Sequence, residues 1–560
     1  MDWKILIGVI LFLLTFAIYQ QCSSDRAPDY DKTLAAERAA RQNEYNETQR
    51  VQAQEQRAQS EAAARHARGK QPPEQLITLS TPEFSAQLTT LGAALKSYTL
   101  HTEQYLEHPR NWTTGTRDED APLTPINLVT TNPKERFWAA YPLRFEVYEG
   151  LDGLLLDGQY EVVSATPERA VFRYAQPGQP VVITRKFEID EKTPYQIWVT
   201  TRIHNTSAQR ISFRPGMVQA GYQHDSEQKG GFLSREPNLM KSICHASGEM
   251  FQEPHKEMKA PFSGTDVRFA GVSTNYFLSV MIPGDDYPTT CLAKADVSGI
   301  VRTDLQWGEM KLDPGQSVTL RVQSFMGPKQ HQRLQAMGHH LQDSVDYGFF
   351  APISRILLWL MFIFQGWVVN WGLAIVLLTV TVKVLLIPLT HKSFASAAAM
   401  RALKPEMDRI NEKYKDSPEE KQRAILEMYK QRKVNPFGGC LPMLLQMPIW
   451  FALFRTLRAS PELYRAPFFG WITDLSSPDP YYITPVVMGA LMFLQQRMMP
   501  VTQDNAQAKM MLYMMPIMFT GMMLFLPSGL TLYILVNTVL SILHQLVLHR
   551  SQENAASKRA

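Results

Sequence analysis

The chain has 560 residues, with 57 Lys and Arg against 53 Asp and Glu; the net charge of +4 is too small for binding nucleic acid through a bulk field. Its length exceeds one domain, and a mean hydropathy of −0.20 hides two unlike halves, polar to about residue 345 and rich in long apolar runs beyond it. Four cysteines exclude a disulfide scaffold, and the pairing of Cys244 with Cys291 stays open on the sequence alone.

Taken in order, residues 1–22 come first. Lys4 precedes an apolar stretch from Ile5 to Tyr19 with no A-x-A-like cleavage site, which reads as an uncleaved transmembrane anchor. Gln21 stands where lipid attachment at Cys22 would want a small residue. Residues 23–73, rich in Ala, Gln, Glu and Arg, have almost nothing large and apolar to bury and read as a flexible tether. From Leu76 the apolar period becomes two. Tyr195, Ile197 and Val199 share one face of a strand, as do Val318, Leu320 and Val322, and Gly and Pro clusters separate such runs. Residues 74–335 are therefore expected to form a large all-β domain, a sandwich of antiparallel strands.

Residues 336–370 read as a linker and an interfacial amphipathic helix, because "SRILLWLMFIFQGW" is only about 14 residues long and holds Arg355. Residues 371–390 form a full span containing Lys383. A lysine near the bilayer centre costs about 2.5–3.5 kcal/mol on insertion scales, so it asks for a reason. Residues 440–549 hold four more expected spans, at 440–458, 481–498, 511–527 and 529–548, the last two closed into a hairpin by Pro527, Ser528 and Gly529. With the anchor this makes six transmembrane helices, and 550–560 is a basic tail. Eleven Lys and Arg lie between His391 and Gly439, and more recur at Arg497, Lys509, Arg550, Lys558 and Arg559. The positive-inside rule then places both termini in the cytoplasm and the β domain in the periplasm, against the minority vote of Arg455, Arg458 and Arg465.

The loop 391–439 has its own apolar stripe at three-four spacing, Met400, Leu403, Met407, Ile410 and Tyr414. Ser417, Pro418 and Glu420 then read as a capping box opening a second helix. The expected result is a cytoplasmic helical hairpin whose basic surface, with Arg401, Lys404, Arg409, Arg432 and Lys433, suits an anionic partner such as a ribosome or a lipid surface. The plainer alternative is a solvated loop with no partner.

The strings "NPFGGCLPMLLQMPIW" (435–450), "IPLT" (387–390), "WITDLSSPDPYYITP" (471–485) and "LPSGLTLYILVN" (526–537) closely resemble the signature of the YidC membrane-protein insertases. An N-terminal anchor followed by a large β domain resembles the Gram-negative branch of that family. The resemblance implies a membrane α-helical bundle with a five-helix insertase core around a polar groove, and a periplasmic supersandwich related to galactose mutarotases. It implies insertion and folding of nascent membrane proteins in the inner membrane, with the ribosome, the Sec translocon and its accessory subunits, and the lipid bilayer as partners. Most bacterial members carry one groove arginine on the first core helix, and the aligned residue here is Lys383. A wet groove is needed for a lysine to serve there, since lysine gives up its proton more readily than arginine. At the tyrosine of "LTLY" only Tyr533 carries over; the aromatic that often follows it is Ile534 here.

Thr379, one turn before Lys383, and Gln446, the lone amide of its span, complete the expected groove set, against the alternatives of threonine hydroxyls bonding their own helix and of Lys383 snorkelling. Met511, Met515, Met518 and Met522 form a stripe suited to accepting varied apolar segments, or to ordinary packing. No nucleophile with a base, no H-E-x-x-H and no P-loop is visible, so an enzyme, a metal or a cofactor is not expected. The rival reading is a non-inserting scaffold or assembly factor of the translocon, for which Lys383 would be dispensable.

Overall fold

The computed structural model describes residues 73–557 apart from 109–120, 131–140, 152–157, 177, 224–238, 255–257, 259, 296–298, 416, 433, 435–440 and 499–505. The expected anchor, most of the tether, Cys440, Lys433 and the last residues of the tail lie outside this set.

Period-two alternation becomes strands with one buried face. Tyr195, Ile197 and Val199 are at most 3% exposed, whereas Trp198 between them is 43% exposed. Hydrogen bonding builds a nine-stranded sheet in the spatial order Glu249–Pro254, Lys241–Ala246, Val267–Ser273, Phe277–Pro283, Ser317–Pro328, Gln196–Asn205, Val181–Glu188, Arg169–Tyr174 and Glu161–Ala165. A six-stranded sheet contains Phe262–Thr265, Thr289–Ala295, Ile300–Trp307, Ile211–Tyr222 and Met310–Leu312, with Arg144–Glu149 also pairing Ile211–Tyr222. Every pairing described between these strands is antiparallel. The sheets face one another across an apolar core that includes Ile243, Phe269, Val280 and Leu305. Thr303 Oγ1 donates across it to Gly271 O at 2.6 Å, and Cys244 of the larger sheet pairs with Cys291 of the smaller. The pairing that the sequence leaves open is thus made between sheets.

A third sheet, Leu76–Ser80, Phe84–Thr89 and Ala94–Leu100, is fastened to the nine-stranded one by Arg185. This arginine is fully buried and donates to the carbonyls of Gly92, Ala93 and Leu143 at 3.3, 2.5 and 2.7 Å. Burial pulls its guanidinium down to about 10.

Nine helices follow among the described residues: α1 (His331–Met337), α2 (Ala351–Val368), α3 (Trp371–Ala402), α4 (Lys404–Lys413), α5 (Pro418–Gln431), α6 (Leu441–Ala459), α7 (Ile483–Met498), α8 (Ala506–Met523) and α9 (Ser528–Ser557). By length and composition three of them can cross a membrane: Ala351–Val368, Trp371–Pro388 and Ser528–Val547. The expectation of a short interfacial helix within 336–370 rests on the apolar run "SRILLWLMFIFQGW" of about 14 residues. The helix formed has 18, because Pro352 starts it a turn earlier and Val369 closes it in the left-handed region, so length no longer argues against a span. The expected spans at 440–458 and 481–498 form α6, which carries Arg455 and Arg458, and α7, which has only 16 residues. At the start of α9, Ser528 and Gly529 are tied to the segment 474–477. The Ser528 N–H donates to Ser477 O at 2.8 Å, and the Gly529 N–H donates to Leu475 O at 3.0 Å.

The β half docks on the turn after α6. Gln104 Nε2 donates to the carbonyls of Pro461, Glu462 and Tyr464 at 3.1, 3.2 and 2.8 Å, and Tyr464 Oη donates to Leu106 O at 3.1 Å.

Candidate functional site

Helix α3 begins at Trp371, and twelve residues at 1.5 Å each carry the chain about 18 Å to Lys383, the middle of a membrane-length helix. There α3 packs beside α9. The two run parallel, since Ile375 lies against Gly529 and Lys383 against Asn537 and Ser541. The ammonium of Lys383 donates to Ser541 Oγ at 2.6 Å and Asn537 Oδ1 at 3.2 Å. Both acceptors are neutral, and no carboxylate pairs with this amine among the described residues. One turn earlier on α9, Tyr533, only 2% exposed, accepts a hydrogen bond from Gln446 Nε2 on α6.

Tyr533, Asn537 and Ser541 stand four residues apart and so share one face of α9. Gln545 continues the row. It is 9% exposed, and neither its Oε1 nor its Nε2 has a partner among the described residues. Three helices thus contribute one polar seam: Lys383 from α3, Gln446 from α6 and the row on α9. Asn537 and Ser541 were not singled out from the sequence. The available signal was polar residues at helical spacing inside the apolar run "YILVNTVLSILHQ".

Thr379 is not in this seam's hydrogen bonding. It is 1% exposed and its hydroxyl donates to Ile375 O at 2.6 Å, while Thr381 donates to Leu377 O at 2.9 Å. A threonine inside a span has its own i−4 carbonyl within reach, and that acceptor wins here. Lys383 does not reach freely for the helix end as snorkelling requires, because two side chains of α9 hold its amine.

The methionine stripe is split by packing. Met522 packs against the helical core, Met515 is half-buried and Met518 is 65% exposed. The open face of α8 instead runs through Tyr513, Met514, Ile517 and Met518, since its other side meets α7, where Gly489 lies against Thr520. Met511 lies on the same helix.

In the loop, α4 and α5 pair. Met407 and Met428 are buried, and Tyr429 Oη donates to Met407 Sδ at 3.3 Å. The N-terminal part of the expected stripe belongs to α3, which runs on to Ala402 and carries Arg401; Lys404 opens α4. Arg409 is exposed, whereas Arg432 forms an ion pair with Glu406 at 3.0 Å and is not a free cation. Ser417 caps α5 in position only: its hydroxyl makes no capping hydrogen bond, and its carbonyl accepts from the Lys421 N–H at 3.0 Å.

Comparison with known proteins gives two family matches, "YidC periplasmic domain" over residues 76–360 and "60Kd inner membrane protein" over residues 363–555. A protein of Anaeromyxobacter sp. (strain Fw109-5) named "Membrane protein insertase YidC" is 38% identical over 486 residues, 84% of each chain. One of the same name from Anaeromyxobacter dehalogenans (strain 2CP-1) is 34% identical over 505 residues, 87% of each. A solved structure titled "Active YidC insertase crystal structure with the first transmembrane domain resolved" covers 85% of this chain and 93% of its own at 20% identity and a TM-score of 0.36.

Proposed function

This chain belongs to the YidC family of membrane protein insertases, and on that footing we propose that it inserts nascent membrane proteins into the inner membrane through the polar seam around Lys383. The barrier to insertion is moving a polar end across hydrocarbon, and a hydrated cation partway down shortens that path. The observation that carries this reading is the pairing of Lys383 with two neutral acceptors. Asn537 and Ser541 orient the amine and leave its positive charge without a counter-ion among the described residues. A buried carboxylate partner would have made it structural instead. The unpaired amide of Gln545 supports hydration, because a buried amide needs a hydrogen-bonding neighbour that water or a passing polar chain supplies.

An acidic group brought within 4 Å of the amine gains up to about 4 kcal/mol at an effective dielectric of 20. Wetting of both partners trims this to about 1 kcal/mol. Weak capture suits turnover, since the substrate has to leave. Its apolar helix then passes the open face of α8 into lipid, driven by about 25 cal/mol per Å² of apolar burial. In this scheme both termini are cytoplasmic, the β domain is periplasmic, and the α4–α5 hairpin with Arg409 at its surface meets the ribosome, alone or beside the Sec translocon. No nucleotide and no covalent chemistry is required of the chain.

The test is insertion into vesicles reconstituted with the purified protein. Lys383→Ala and Lys383→Glu are expected to lose insertion of substrates with acidic translocated tails, with Lys383→Glu the worse of the two. Lys383→Arg is expected to retain it. Normal insertion by a stably folded Lys383→Glu protein sinks the proposal and favours a scaffold.

A further inference from the structure

Where the chain leaves the β half for α2, it passes through a short 3-10 turn, Leu341–Ser344, introduced by His340 in the left-handed region at φ 61°. This turn brings His340 and Asp343 over the strand Lys241–Ala246, onto His245. The three residues, His245 lying some 95 positions before the other two, each offer one ligand atom within 4.8 Å of the others. The imidazoles stack with centroids 4.9 Å apart and planes 14° apart, and His340 Nδ1 lies 3.2 Å from Asp343 Oδ2.

His245 gives the cluster its meaning. It is 5% exposed, its ring packs on Phe269, and its Nδ1 is buried with no hydrogen-bond partner among the described residues. An orphaned buried ring nitrogen is costly unless something else takes its lone pair or proton. The two nearby arginines are already engaged: Arg268 lies 3.7 Å from Asp266, and Arg355 of α2 lies 3.9 Å from Asp343 Oδ1.

We propose that His245, His340 and Asp343 bind a divalent transition metal ion of borderline softness, of which zinc is the type, and that the ion clamps the linker before α2 onto the nine-stranded sheet. Two imidazole nitrogens and one carboxylate oxygen are the donor set zinc takes with a fourth, water-filled position. Metal–ligand bonds of about 2.0–2.2 Å put tetrahedral ligand atoms about 3.4 Å apart. The ligand atoms now lie within 4.8 Å of one another, so the metal would draw them closer, and the His340 side chain, 60% exposed, has room to adjust. The sequence carries no metal motif because the ligands lie on a strand and on a distant turn.

The experiment uses the full chain, purified in detergent without a polyhistidine tag. Cobalt(II) as probe is expected to give a ligand-field band at one equivalent that one equivalent of zinc removes. His340→Ala, at an exposed position, and Asp343→Asn are each expected to weaken cobalt binding by at least about a hundredfold, beyond what outer-shell changes do. Zinc is expected to raise the thermal midpoint of the parent protein, leave that of His340→Ala unchanged, and slow hydrogen exchange across residues 339–346 in the parent. Absence of the band, or an equal band in His340→Ala, overturns the site. Exchange that does not slow with zinc bound overturns the clamp.

Discussion

Lys383 and Glu462 are both ionisable groups in poor surroundings, and each is explained by the company it keeps. Lys383 is oriented by neutral acceptors, and the neighbouring Gln446–Tyr533 hydrogen bond ties α6 to the same face of α9. Tyr533→Phe removes the only acceptor described for Gln446 and is expected to cost about 1 kcal/mol of stability. Adding Gln446→Leu should recover most of that loss; thermal unfolding of the single and double variants checks it. Glu462 sits in the turn that docks the β half, where its Oε1 accepts from the His331 N–H at 3.2 Å. Burial pushes its carboxyl up to about 7, against the bonds from backbone N–H groups that pull it down. Between about 4.5 and 7 the native state therefore holds a proton that the unfolded chain has lost, and stability falls as pH rises through that window. Glu462→Gln keeps the acceptor and removes the titration. It is expected to be more stable than the parent by about 1–3 kcal/mol at pH 8 and equal to it at pH 4. A gain that persists at pH 4 would mean the effect is not titration.

At the scale of single elements, strands and helices follow their periodicities while close approach depends on a few small residues. Gly271 opposes Val280 between neighbouring strands, and a Cβ there would come within 2.2 Å of Ser279 O and 2.7 Å of Val280 Cα. Both are backbone atoms that cannot swing aside, so Gly271→Ala is expected to destabilise the β half by about 1–3 kcal/mol, read by denaturant unfolding. Element type was legible in the sequence here: the alternation of "YQIWVTTRI" and the apolar run around Lys383 each decide their own backbone. Element ends and faces were not. The helix at Ala351–Val368 outran its apolar run, the stripe from Met400 to Tyr414 was divided between α3 and α4, and the methionine row on α8 was cut by its contact with α7. An isolated periodicity shows that a face exists, but a neighbour decides which part of it is covered.

For the whole molecule, stability rests on links that cross from one sheet or half to the other. Cys244 and Cys291, both fully buried and with Cα atoms 6.4 Å apart, join the two facing sheets across a sequence separation of 47. Closing a loop of that length removes entropy worth up to about 4 kcal/mol from the unfolded chain. The double change Cys244→Ala with Cys291→Ala is expected to lower unfolding free energy by about 2–4 kcal/mol, as is reduction of the parent protein. No change in denaturation midpoint on either treatment contradicts that role. The sequence by itself determined the family, through strings such as "NPFGGCLPMLLQMPIW". It also determined the division into a β half and a helical half, and the presence of one cation in an apolar helix, because each is written in contiguous residues. Only the tertiary structure decided that Lys383 rests on Asn537 and Ser541, that Cys244 meets Cys291, and that His245 meets His340 and Asp343. Those partners lie 47 to 158 positions apart, and no local period relates them; the packing of sheet on sheet and helix on helix brings them together.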